Sequence, residues 1–368
     1  MMKRIKMKKN NYAGYLVTMV LLVVATTITG ILIFRYYIKN FSAEAAANRY
    51  DKYYVMIAED TNTSLWQSIY EGAYEVAIAE NSYVDFLNGS FDNNYSKEDL
   101  MCIAIASEVD GIIVVADESA KMAELINEAT AKGIPVVTLY NDNTKSERCT
   151  FVGIGSYDLG KEYGKEVLEI VQEKQRSEVQ VKAAGEDNDL SVIFDPTRPV
   201  KVMVLVNASA QDAGQNILYS GIQETIEKER QNSAKIELSI VSIDDTNAFC
   251  VEESIRDIFM KNELPDIIMC LNELNTTCVY QAVVDYNKVG QVHILGYYDS
   301  ETIMKAIDRN VIYATVSINT MQMGKYCVDA LTEYNTVGNT SQYFIADIAL
   351  INKENIAQYL GGEAENEE

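Results

Sequence analysis

Polar and aromatic side chains gather in four short segments of this chain, each directly after an apolar run. The first is Glu59-Asp60-Thr61-Asn62-Thr63-Ser64-Leu65-Trp66, which holds the only tryptophan. The others are Tyr140-Asn141-Asp142, Asn272-Glu273 and Gly296-Tyr297-Tyr298-Asp299-Ser300. Uncharged donors and acceptors interleaved with flat rings suit stacking on, and hydrogen bonding to, a neutral polyol better than a phosphate or nucleotide. The competing uses are structural: Asp299 and Ser300 are good helix caps, and Trp66 is equally suited to helix packing.

Other chemistries find little support. The single histidine, His293, lies between Val292 and Ile294 in an expected strand, so histidine-based catalysis and zinc binding have almost nothing to stand on. Six cysteines are scattered without Cys-x-x-Cys spacing, and most fall inside apolar segments, which points to buried free thiols. Gly153, Gly155, Gly160 and Gly164 do not space as a dinucleotide-binding loop, and no Gly-Lys-Ser/Thr occurs. Gly160 and Gly164, four apart on one helix face, are expected to serve close packing of helix on sheet. No Gly-x-Ser-x-Gly elbow is present. The chain is therefore expected to be no enzyme, with no cofactor and no metal.

The elements that must position these segments alternate almost without interruption. Strands are expected at 53–58, 84–87, 111–115, 134–139, 200–206, 235–241, 266–271, 292–296, 311–316 and 343–351. Helices are expected at 64–80, 97–107 (capped by Ser96), 118–131, 157–175, 214–230, 251–262, 275–287, 301–309 and 322–334. Near-continuous apolar strands separated by helices indicate parallel sheets covered on both faces. The fold class is α/β, with two doubly wound lobes and a site between them at the carboxyl ends of the strands.

Residues 12–34 form a charge-free apolar run after Lys3, Arg4, Lys6, Lys8 and Lys9. Its length suits a single transmembrane helix, and the basic flank places the N-terminus inside and the body outside. Residues 1–50 carry eight Lys/Arg against one acid; the remainder carries 23 against 53, within a net charge of −23. So acidic a body repels phosphate backbones, and no nucleic-acid partner is expected.

The ordered series 68–73 (SIYEGA), 109–114 (VDGIIV), 132–138 (KGIPVVT), 294–299 (ILGYYD), 314–316 (ATV) and 322–324 (QMG) resembles the type I periplasmic binding proteins of the sugar-binding group. These are related to ribose- and galactose-binding proteins and to the effector domain of lac-repressor-like regulators. The resemblance covers about residues 53–352, and the N-terminal anchor stands where such a regulator carries its DNA-binding headpiece. It implies two lobes closing on a ligand through three hinge strands, with crossings near 173–199, 318 and 343. The resulting division is a basic cytoplasmic tail at 1–11, the anchor at 12–34 and a linker at 35–52. An N-terminal lobe follows at 53–172 plus 319–342, then a polar excursion at 173–199. A C-terminal lobe takes 200–318 plus 343–360, and an acidic tail ends the chain at 361–368.

The resemblance also implies the site. Asn272 matches a ligand-binding asparagine, and Asn62, Leu65 and Trp66 lie where the family places polar and stacking residues. Tyr140, beside Asn141, stands in place of a buried aspartate, and Asn216 in place of an arginine. Tyr298 replaces a ligand aspartate, with Asp299 adjacent; Ile318 replaces a glutamine, with Asn319 next to it. Losing the aspartate–arginine set removes charge-assisted bonds to sugar hydroxyls. The expected function is a membrane-tethered solute-binding protein that closes on a carbohydrate-like ligand. It would present that ligand to an ABC permease or a sensor histidine kinase; a ligand-free scaffold of the same fold is the alternative.

Overall fold

The computed structural model describes residues 19–22, 24–33, 35, 50–58, 63–90, 95–184, 198–208, 213–229, 235–261 and 263–360. The anchor expectation does not hold. Residues 19–22 and 24–33 are helical, yet among the described residues no helix is long and apolar enough to cross a membrane. The expected single-pass placement in a cell membrane, with the N-terminus inside and the body outside, falls with it.

The rest follows the alternation of short apolar strands with helices. The first sheet is built from β1 (Lys52–Ile57), β2 (Ser82–Phe86), β3 (Gly111–Val114), β4 (Val136–Leu139), β5 (Thr150–Ile154) and β11 (Tyr343–Ala346), in the order β11-β5-β4-β3-β1-β2. The second holds β6 (Val200–Asn207), β7 (Ile236–Ile243), β8 (Ile267–Cys270), β9 (His293–Tyr297), β10 (Ala314–Ile318) and β12 (Ile348–Asn352), in the order β12-β10-β9-β8-β6-β7. Every pairing is parallel except β10 with β12.

Strand periodicity sorts the core onto two faces. In β1, Tyr54 and Met56 join α1 (Ser64–Ala79) and α9 (Thr320–Val337), while Val55 and Ile57 join α2 (Lys97–Ala106) and α3 (Ala120–Ala131). In the second lobe Val202 and Val204 pack toward α4 (Ser156–Ala184) and α5 (Ala213–Glu229). Leu205 packs toward α6 (Ala248–Phe259), α7 (Glu273–Asp285) and α8 (Glu301–Asp308). Helix α2 starts as its sequence predicts: Asp99 N–H donates to Ser96 Oγ at 3.2 Å and Ser96 N–H to the Asp99 carboxylate at 3.1 Å.

Three passages join the lobes: β5 to α4 at Gly155, β10 to α9 at Asn319, and β11 to β12 at Asp347. The segment 343–351, expected as one strand, is two, broken at Asp347 so that each half serves a different sheet. Helix α4 runs on to Ala184, into the segment read as a polar excursion, and it packs along α5 of the second lobe. The first passage therefore falls at Gly155 instead of within 173–199. Gly160 and Gly164 face α5 at Leu218, Ile222 and Thr225, so they serve helix-on-helix packing. The second and third passages are tied together: Asn319 N–H donates to Asp347 O at 3.0 Å. The Gln322 amide in turn bonds both the Asp347 N–H, at 2.7 Å, and its carboxylate, at 3.0 Å.

Candidate functional site

The carboxyl ends of β4 and β9 carry the same backbone device. Tyr140, directly after β4, has φ +65°, and Tyr298, directly after β9, has φ +74°. Side chains rarely adopt this left-handed conformation, and it persists only where the surroundings over-determine it. Here the determinant is the next strand. Tyr140 N–H donates to Val152 O of β5, and Tyr298 N–H to Val316 O of β10, each at 2.8 Å.

The two turns aim aromatic rings across the gap between the lobes. The Tyr140 and Tyr297 hydroxyls lie 2.7 Å apart. Trp66, buried on α1, meets Tyr140 edge-on, with ring centroids 5.6 Å apart and planes at 72°. Tyr298 is buried, its phenol against the side chains of Ser64 and Thr320 from the first lobe. Behind Tyr297, the Tyr163 hydroxyl of α4 donates to Gly296 O at 2.8 Å. Burial pushes the Tyr163, Tyr297 and Tyr298 phenols above their ordinary range, so all three remain neutral hydroxyls.

A second group lies where the strand order of the second sheet reverses, between β6 and β8. Asn272 caps α7 by accepting from Asn275 N–H at 2.7 Å. Its side-chain amide donates to Asn207 Oδ1 at 2.9 Å, and the Asn275 amide donates to the same oxygen at 3.0 Å. Asn275 is 1% exposed, and its Oδ1 has no hydrogen-bond partner among the described residues. An orphaned buried acceptor is costly, and a donor from a bound molecule would relieve it.

Two carboxylates beside these groups are already engaged. Asp142 accepts from Thr138 at 2.7 Å and pairs with the Arg148 guanidinium. Asp299 accepts from the Ser317 hydroxyl at 2.6 Å. His293 sits at the opposite end of β9 against Tyr313, and burial, then Lys174, pushes it down to about 4. Among the described residues no group of His, Cys, Asp or Glu is arranged to hold a metal ion. All six cysteines are free, Cys270 and Cys327 buried and Cys102 exposed.

The structure thus brings together Trp66, Tyr140 and Tyr298 with their cross-lobe partners, and places Asn272 in an amide cluster on the second lobe. Asn141 is half-buried beside Tyr140, its N–H on Leu139 O at 2.7 Å. Asn216 lies exposed in the first turn of α5, where its carbonyl accepts from Ser220. Asn319 is exposed and caps α9 at the hinge. Asn62 lies outside the described residues. Sequence reasoning missed Asn207 and Asn275; the three-residue spacing of Asn272 and Asn275 signals a helix start, but only the fold brings in Asn207 from β6.

The sequence profile of the periplasmic binding protein domain matches residues 53–339. No curated protein sequence matches the chain. Among solved structures, a glucose-galactose binding protein of Geobacillus stearothermophilus, GanP, superposes with a TM-score of 0.67 at 19% identity, covering 83% of this chain and 98% of that one. A sugar-binding protein of a Bacillus halodurans sugar ABC transporter gives 0.64 at 17% identity, covering 84% and 99%. The XylFII–LytSN complex gives 0.63 at 23% identity, covering 82% and 98%.

Proposed function

The chain belongs to the periplasmic binding protein domain family, a family of binding proteins and not of enzymes, and we propose that it captures a small, neutral, carbohydrate-like solute between its lobes. The observation that carries this reading is the set of uncharged groups at the carboxyl ends of the strands. Rings of Trp66, Tyr140 and Tyr298 offer flat apolar faces, and the Asn207–Asn272–Asn275 cluster offers amide donors with one unpartnered buried acceptor. A sugar presents the complementary surface, apolar C–H faces and hydroxyls that donate as well as accept. Asp142 and Asp299 are already engaged, by Arg148 and Ser317, which favours a neutral solute.

A solute touching both lobes favours the closed state by its differential affinity. The closed form is then presented to a protein partner, an ABC permease or a sensor histidine kinase. The solved likenesses that support these two routes are a sugar-binding protein of a sugar ABC transporter and the XylFII–LytSN complex. A thermal-denaturation panel of hexoses and pentoses on the full chain tests the solute. At a hundred times the dissociation constant a true ligand adds about 2.7 kcal/mol to stability. Unchanged melting with every sugar would overturn the reading in favour of a scaffold without ligand.

A further inference from the structure

Side chains of the protein itself bridge the lobes, and the bridging is reciprocal. From the first lobe, Tyr140 sends its hydroxyl to that of Tyr297 in the second, at 2.7 Å. From the second lobe, Tyr298 lays its phenol against Ser64 and Thr320 of the first. Both reaching tyrosines follow a strand end with φ near +70°, and both are pinned by a backbone bond to the neighbouring strand. The receiving sides are braced as well. Tyr163 holds the Gly296 carbonyl at 2.8 Å next to Tyr297, and the Ser68 and Thr320 hydroxyls lie 2.7 Å apart beneath Tyr298. One apolar cluster runs from Tyr54 and Met56 through Trp66, Tyr297 and Tyr298 to Val202 and Val204, continuous across the cleft.

We propose that Tyr140 with Tyr297, and Tyr298 with Ser64 and Thr320, form a latch that holds the two lobes shut without help from a solute. The rotation that parts the lobes must break the Tyr140–Tyr297 bond and expose the Tyr297 and Tyr298 rings, which are 3% and 5% exposed. Hydrophobic burial and a buried hydroxyl pair both oppose that rotation. A solute entering the cleft therefore meets a molecule whose resting equilibrium already favours closure. Its hydroxyls compete with the tyrosine pair, which makes Tyr140 and Tyr297 the residues that select for solutes able to replace their bond. This goes beyond solute capture and does not depend on which solute is captured.

Small-angle scattering of the full chain in sugar-free buffer tests the latch. The wild type is expected to scatter as a closed two-lobed particle. Tyr140→Phe and Tyr297→Phe each remove one member of the hydroxyl pair, and each should raise the open-to-closed ratio about ten-fold. Tyr286→Phe, whose ring stacks on Phe259 within the second lobe, should scatter as the wild type. Circular dichroism and a cooperative melt confirm folding, and because Tyr297 is deeply buried, the half-buried Tyr140 decides the matter if Tyr297→Phe does not fold. A wild type already open in sugar-free buffer, or an unchanged open fraction in a folded Tyr140→Phe, overturns the latch. Because no sugar is used, this result stands apart from the melting panel, and either proposal can fail alone.

Discussion

Asn272 shows how one side chain serves packing and recognition together. Its Oδ1 caps α7 and its amide donates toward Asn207. Asn272→Ala loses both, and should cost about 1 kcal/mol of stability, the usual worth of an N-cap. Asn272→Asp keeps a capping oxygen but turns a carboxylate toward Asn207 Oδ1. It should melt closer to the wild type than the alanine variant while losing the sugar-induced shift, which a melting curve with and without sugar reads directly. Glu166 on α4 makes a different prediction. It is 4% exposed, its Oε2 has no partner among the described residues, and it is raised to about 7, first by burial and then by Glu169, Glu162, Glu173 and Glu354. The folded value lies above the ordinary 4.5, so the protonated form is the one the fold accommodates. Its contribution to stability is complete below pH 4.5 and is lost as pH rises through about 7. Glu166→Gln, neutral throughout, should match the wild type near pH 4 and exceed it by up to about 3 kcal/mol at pH 8. Urea denaturation across that range checks the sign; a variant less stable than the wild type at pH 8 would refute it.

Between elements, glycine decides how closely helices approach. A Cβ at Gly72 would collide with Met321 O of α9, and one at Gly324 with Ile69 O of α1. The second lobe repeats this at Gly160 against Leu218 O and at Gly221 against Tyr157 O. Gly324→Val must therefore push α9 off α1, and a loss of about 2–3 kcal/mol or more is expected in urea denaturation. Much at this scale could be read beforehand. Apolar runs marked most strands, and Ser96 announced the start of α2. Strand β5 escaped because Thr150–Ile154 contains Gly153 and leads straight into Gly155, which reads locally as a turn. The break at Asp347 escaped for another reason: nothing in 343–352 interrupts the apolar pattern strongly, and tertiary pairing alone assigns the halves to different sheets. The two positive-φ positions, Tyr140 and Tyr298, are themselves neither glycine nor asparagine, so their geometry follows from strand neighbours and not from local propensity. The contact at Gly160 is helix on helix and not the expected helix on sheet, since spacing on one face does not say what that face meets.

At the scale of the whole molecule, alternation of element types sufficed for two parallel-sheet lobes, whereas the apolar run at 12–34 promised more than the described helix delivers. The passages at Asn319 and Asp347 are cross-bonded, so opening is expected to turn about them as one unit, with Gly155 as the remaining pivot. Those same passages make the first lobe discontinuous in sequence, because α9 and β11 complete it only after β6 to β10 have been added. During translation the face of α1 that receives Met321 and Gly324 stays bare until the chain is nearly finished, while the second sheet lacks only its edge strand β12. Uncovered apolar surface of that kind is where nascent chains aggregate or recruit chaperones. The half of this protein that leaves the ribosome first thus waits for nearly the whole chain before its helix layer is complete.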